Sequence, residues 1–536
     1  MLKDLLASIF HPSEVSSMLK LKFGSYVRPV SSQSLEELAV TLNDVDFCYA
    51  VLNKVSRSFA VVIQQLPAQL RDPICIFYLA LRGLDSVEDD MTYDVKSKIP
   101  LLQTFYQKLY IDNWSIENVG DSDEYRILLK HFYKVIRVFK SLPEKYQSVI
   151  AIITRKMGEG MAEFADKTGS IDTVSNYNLY CHYVAGLVGH GLSELFAASG
   201  LEDSDLALQE RLSNSMGLFL QKTNIIRDYL EDCEAGRTWW PEEIWSMYGN
   251  SLDEFSKHPN SEKSLSCLNA MVNDALSHVP DCLDYLSRLH NKQIFEFCAI
   301  PQTMAIATLC EVYDNPEVLK RNVKVRKGMA AKMMLESSNL IQVKAWFREF
   351  TDELQEKLKL AQEHTVKPDI NSKTNTNKNN NNNKNGKLNG NGNGNHNGNN
   401  HNQNNNNNND ESRTLLHHND SSFSSHLASH CGVDRTQSLL NQIRSLTAPG
   451  TDSPSALSYL NLFAWLIFLL ATFYLFTRFR SRVDSEDNSR FGSHHHSFDS
   501  RGPGFGLMAS GLDVLAVLVC FVSIGYLFGF FGISYI

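Results

Sequence analysis

The chain carries ten cysteines in 536 residues but no Cys-x-x-Cys pair and no Cys/His spacing of a zinc site. A zinc-built fold is excluded, and the scattered thiols read as buried free cysteines suited to a reducing compartment. Alternating apolar and polar residues are scarce, which argues against a sheet-built core. No Gly-x-Gly-x-x-Gly follows a strand pattern, so no Rossmann domain is expected. There is no basic excess: 51 Lys and Arg face 60 Asp and Glu, a formal net charge of -9. That balance excludes the clustered positive charge of a nucleic-acid binder. Met1 to Phe10 lacks the length and cleavage site of a signal peptide.

What the chain does have is one acidic pentad written twice, Asp85-Ser86-Val87-Glu88-Asp89 and Asp228-Tyr229-Leu230-Glu231-Asp232. Both copies fall in apolar runs that read as buried helix, where unpaired carboxylates are costly. At about 100° per residue, Tyr78, Asp85 and Asp89 share a narrow sector of the first helix, flanked by Arg82 and Glu88. On the second helix, read as Ser215 to Glu231, Gln221, Asp228 and Asp232 form one stripe with Asn224 and Glu231 on its edge. A polar stripe on an apolar helix must face ligands or a wet cavity. Two such clusters facing one another suit several hard cations, of which Mg²⁺ bridging a diphosphate is the obvious candidate. A solvated helix face is the alternative. It fits poorly with apolar surroundings on two separate helices.

Along the chain, residues 1–365 read as one all-helical domain, from helical spacing of apolar residues with Gly and Pro at the breaks. Residues 366–456 read as a linker. Its first half is an Asn-rich tract of low complexity that cannot bury a core, and Arg435 to Leu446 is its one short amphipathic stretch. Leu457 to Thr477 and Val514 to Ile536 are uncharged apolar runs of roughly 20 residues, each long enough to cross a bilayer. They are expected to form a C-terminal transmembrane hairpin around a polar 478–513 loop. Arg478, Arg480 and Arg482 would place that loop in the cytosol by the positive-inside rule. That conflicts with a large N-terminal domain made without a signal peptide. A cytosolic domain with late insertion is the favoured reading, and a shallow hairpin would remove the conflict.

Four stretches carry a resemblance: Asp85 to Asp90, Tyr180 to Gly189, Leu220 to Asp232 and Phe297 to Gln302. Together they resemble the signature blocks of the phytoene/squalene synthase family, and within it the squalene synthases. The match extends over about residues 25–345. The resemblance implies an isoprenoid-synthase-type helical bundle around a central cavity. It implies head-to-head condensation of two farnesyl diphosphates to presqualene diphosphate, then NADPH-dependent reduction to squalene at the start of sterol synthesis.

On that reading Asp85, Glu88 and Asp89 hold one Mg²⁺ set, and Asp228, Glu231 and Asp232 the other. Arg57, Arg82 and Arg227 could clamp phosphate oxygens, although a local salt bridge would explain each arginine equally well. By resemblance Tyr180 is the base for cyclopropane closure and Phe297 a cation–π stabiliser. From the residues alone both read as core aromatics, and Tyr180 opens a helix whose small residues (Ala185, Gly186, Gly189, Gly191) give close packing or room for a prenyl chain. Phe59, Tyr78, Gln221 and Asn224 would line the substrate. Lys324 and Arg326, in a short basic run that could equally be a solvated patch, would take the NADPH phosphates near Arg57 and Arg82. The implied setting is an endoplasmic reticulum membrane with a monomeric core facing the cytosol. Two alternatives stay open: a phytoene- or dehydrosqualene-synthase-like enzyme that uses no NADPH, and a membrane-tethered helical scaffold without catalysis.

Overall fold

Helices form wherever the sequence supplies both an apolar face and a polar start signal. Ser34, Asn43, Asp94, Ser122, Thr173, Ser261 and Asn291 each accept a backbone N–H in the first turn of the helix they precede. The computed structural model describes residues 11–23, 33–165, 171–366 and 432–449. Every regular element among the described residues is helical, so the all-α expectation holds. The described residues up to Ala448 form one compact unit. The Asn-rich tract, both apolar runs and the 478–513 loop lie outside the described residues.

The Glu210–Arg227 helix runs through the middle of the bundle. It packs against the helices Leu187–Ser199, Glu262–Leu276, Val279–Ser287 and Lys292–Val312. Two glycines let backbones touch here. A Cβ on Gly189 would stand 2.1 Å from the Ser213 carbonyl oxygen, and one on Gly217 would stand 2.2 Å from that of Ala185. Of the small residues after Tyr180, Ala185 and Gly189 therefore serve close packing, and both also line a cavity.

The structure corrects three local expectations. The second acidic helix does not run unbroken to Glu231. It ends at Arg227, Asp228 occupies the break with φ -94° and ψ 13°, and a short helix Tyr229–Glu234 follows. Tyr180 closes the helix Val174–Cys181 instead of opening one, and a π-helical turn, His182–Gly186, comes next. Finally, Gly432–Leu446 is a docked helix inside the span read as linker. Leu440 and Ile443 are fully buried. Asn273 Nδ2 donates to Thr436 Oγ1 at 2.6 Å, and Arg444 Nε lies 3.3 Å from Asp352 Oδ1 on the Leu340–Val366 helix. Its partners precede the Asn-rich tract, so no local pattern could announce them.

Eight cysteines fall among the described residues. All are free, and all but Cys233 are buried, as expected of structural thiols.

Candidate active site

The Ala68–Asp89 helix is buried along most of its length, and its acidic cluster lies in its last two turns. Arg82 Nη1 lies 3.4 Å from Asp85 Oδ2. The same guanidinium stands over the rings of Tyr78 and Tyr125, at 5.8 and 5.4 Å. Burial pushes the Asp85 carboxyl up to about 7, against the pull of Arg82 and with added repulsion from Asp89. Glu88 is driven well above the ordinary carboxylate range by burial and then by Asp89 and Asp85. Asp89 also rises through burial, although Arg237 and Arg82 pull it back.

The adjacent Asp90 has another role. Its Oδ1 accepts from the Thr92 backbone at 2.9 Å and its Oδ2 from the Gly120 backbone at 2.8 Å, so it shapes the loop beyond the helix.

At the second pentad, Arg227 grips Asp228 bidentately: Nε donates to Oδ1 at 2.8 Å and Nη2 to Oδ2 at 2.5 Å. Asn322 Nδ2 donates to the same Oδ1 at 2.6 Å. Glu231 is exposed and lies near enough to Arg227 to raise its pKa. Asp232 faces inward and accepts from Arg237 Nη2 at 2.9 Å.

Arg237 joins the two pentads. Its Nη1 also lies 3.9 Å from Asp89 Oδ1 on the other helix. Burial pushes Asp232 up to about 6; Arg237 opposes the rise, while Asp228 and Asp89 add to it. The two carboxylate clusters thus share one electrostatic neighbourhood. The sequence reading missed Arg237, because a lone arginine five positions past Asp232 matches no motif. Its one visible signal is Gly236, whose φ of 75° ends the short helix and turns the chain back.

A cavity of about 240 Å³ adjoins the first pentad, with Arg82 and Asp85 at its polar edge. Phe59, Tyr78, Gln221, Asn224 and Phe297 line it, so the structure brings together the residues expected at the substrate. Phe59 and Tyr78 sit with ring centroids 6.2 Å apart, and Phe297 meets the edge of Phe196 at 6.0 Å. Tyr180 is only 4% exposed. Burial, then Glu88 and Asp89, push its phenol well above the ordinary tyrosine value. The effect of those carboxylates would reverse if divalent cations covered them.

Among the described residues no three His, Cys, Asp or Glu side chains converge as a ready metal cage. Mg²⁺ usually takes one or two carboxylates and completes its shell with water and phosphate oxygens. Buried carboxylates with raised proton affinity mark a surplus of negative potential that such ions would offset.

The basic run is placed less directly. Lys324 is exposed. Arg326 Nη2 donates to Glu14 Oε1 at 3.0 Å, so part of its guanidinium already holds a carboxylate. Asn322, two residues before Lys324, ties this loop to Asp228 and leaves its own Oδ1 buried without a partner. Lys324 and Arg326 are the cationic side chains that this loop offers, one exposed and one shared with Glu14. Arg57 begins the Arg57–Gln64 helix, but its side chain lies outside the described residues.

Residues 52–328 match the family model described as squalene/phytoene synthase. The chain is 46% identical over 344 residues to a human protein named squalene synthase, covering 64% of this chain and 81% of that one. It is 50% identical over 312 residues to a squalene synthase of Schizosaccharomyces pombe, covering 57% and 68%. A solved structure of TcSQS in complex with the ligand BPH1237 superposes with a TM-score of 0.57 at 45% identity, covering 59% of this chain and 92% of that one. With its two pentads converging beside an apolar cavity, the chain belongs to the squalene/phytoene synthase family.

Proposed function

We propose that the chain joins two farnesyl diphosphates head to head and reduces the product to squalene. The first half gives presqualene diphosphate, one free diphosphate and a proton. The second consumes presqualene diphosphate and NADPH and gives squalene, NADP⁺ and the second diphosphate. The observation that carries this reading is Arg237, which draws together two half-buried acidic clusters, the first of them at the edge of an apolar cavity.

Asp85, Glu88 and Asp89 on one side, and Asp228 and Asp232 on the other, would hold Mg²⁺, with Glu231 at the outer edge. Bound there, Mg²⁺ supplies Lewis-acid neutralisation of the leaving diphosphate. Arg82, Arg227 and Arg237 bind and orient the diphosphate oxygens. Tyr180 takes the proton lost as the cyclopropane closes, and Phe297 turns a ring face to the later cation. Phe59, Tyr78, Gln221 and Asn224 position the chains, while the apolar wall excludes water that would quench a carbocation. Lys324 and Arg326, with Arg57, hold the phosphates of NADPH, the hydride donor.

The test is the product formed from farnesyl diphosphate and Mg²⁺ with and without NADPH. Squalene should appear only with NADPH, and presqualene diphosphate should accumulate without it. An unchanged hydrocarbon product in both reactions would overturn the reductive half. We further propose that 457–477 and 514–536 anchor the protein in the endoplasmic reticulum membrane with the catalytic domain in the cytosol. Protease protection in sealed microsomes checks this: the Asn-rich tract should be cut from outside.

A further inference from the structure

The loop that delivers Arg237 delivers a second side chain to the same place. Two residues on, Trp239 stacks on Tyr180 with ring centroids 4.1 Å apart and planes 12° from parallel. Phe164 meets another side of the Tyr180 ring nearly edge-on, at 5.4 Å and 65°. Glu88, Asp89 and Arg237 lie near enough to the phenol to act on it electrostatically, while the ring contacts set the plane of its ring. A phenolic O–H and its in-plane lone pair follow the plane of the ring. The Trp239 face fixes that plane and blocks the ring from swinging toward the loop.

The loop is itself firmly held. Gly236 makes the left-handed turn. Trp240 is 1% exposed, donates from Nε1 to the Ile225 carbonyl at 3.4 Å and packs on Tyr229 at 4.9 Å. Trp239, by contrast, is only partly buried and packs against the edge of the core. Core anchoring falls to its neighbour, which leaves the Trp239 face free for Tyr180.

We infer that Trp239 is a positioning residue for Tyr180. It holds the phenol in the plane needed to receive the proton of the first half-reaction. Through Arg237 on the same loop, that placement is tied to the two acidic clusters. The role rests on the reading of Tyr180 as the proton acceptor, and the experiment separates the two claims.

The measurement is single-turnover formation of presqualene diphosphate by the full chain. The variants are Trp239→Ala, Trp239→Phe, Tyr180→Phe and the double variant Trp239→Ala/Tyr180→Phe. Misplacing a reacting group by about an ångström costs on the order of a hundredfold in rate. Trp239→Ala should therefore lose roughly that much in the chemical step, with little change in farnesyl diphosphate KM or in the Mg²⁺ concentration for half-activity. Trp239→Phe, which keeps a stacking face, should recover most of the rate. In the Tyr180→Phe background, Trp239→Ala should cost almost nothing more, since its effect passes through the missing hydroxyl.

A normal rate in Trp239→Ala would overturn the inference alone. So would equal losses from Trp239→Ala with and without the Tyr180 hydroxyl, which is what a general loosening of the fold would give. If Trp239→Ala does not fold, the Trp239→Phe and Trp239→Leu pair gives the same contrast, with leucine filling space but offering no ring face. A normal rate in Tyr180→Phe would instead sink the proton-acceptor reading on which the inference stands.

Discussion

Glu14 and Arg326, 312 residues apart in sequence, meet at 3.0 Å, with the Glu14 carboxylate 2% exposed and Arg326 40% exposed. Glu14 belongs to the Pro12–Phe23 helix, which packs on the Lys327–Leu335 helix that Arg326 precedes. A carboxylate thus holds a guanidinium proposed to bind cofactor phosphate.

Glu14→Gln keeps the shape and removes the charge. If Arg326 serves NADPH, the KM for NADPH should fall roughly two- to fivefold, the range for a half-exposed ion pair. Formation of presqualene diphosphate should not change. Steady-state kinetics of both half-reactions check this, and an unaltered NADPH KM would remove Arg326 from the cofactor site.

Lys222 Nζ donates to Asp274 Oδ2 at 2.6 Å, with side chains 1% and 4% exposed. The pair ties the central Glu210–Arg227 helix to Glu262–Leu276. Lys222→Met should destabilise the domain by about 3 to 5 kcal/mol, because Asp274 is left buried and unpaired. The double change Lys222→Met/Asp274→Leu should recover most of that loss. Denaturant melts of the parent protein and the two variants provide the comparison.

Burial pushes His190 down to about 4; His182 and Lys156 reinforce the shift, and the hydrogen bond with the Glu210 carbonyl opposes it. His182 is lowered by burial too, against its contact with Asn214. A histidine with a depressed pKa is neutral in the fold, while the unfolded chain protonates it near its reference value of 6.5. Below that value the unfolded state binds more protons, so stability falls with pH down to about 4 and then levels. In His190→Gln the fall in melting temperature between pH 6.5 and 4 should be shallower than in the parent protein. Parallel curves would show that His190 contributes nothing to acid sensitivity.

Leu440 and Ile443 hold the Gly432–Leu446 helix on the domain. Leu440→Asp with Ile443→Asp should release it, since two carboxylates would be buried without partners. Limited proteolysis should then cut within 432–449, while the helices around the cavity stay protected. Protection of 432–449 in the variant would mean that the helix is held by Thr436 and Arg444 instead.

Much of the site could be read from the residues in order. Tyr78, Asp85 and Asp89 lie one or two turns apart on a single unbroken helix, so helical periodicity alone gathers them. Gln221 and Asn224 were legible for the same reason. Asp228 was harder, because the helix breaks under it and Arg227 and Asn322 fix its carboxylate. Arg237 had only the neighbouring Gly236 as a signal, and Trp239 had none. Their partners, Asp89 and Tyr180, are far away in sequence, and a turn at Gly236 aims them.

The sequence by itself determined the helical class, the two acidic clusters and the apolar faces that must bury them, because periodicity and the penalty on buried charge act over a few residues. Only the tertiary structure decided that Arg237 spans both clusters, that Trp239 lies on Tyr180 and that Gly432–Leu446 returns to the core. Those contacts join segments whose spacing along the chain carries no local signal. They exist because the bundle brings the segments to within a few ångströms of one another.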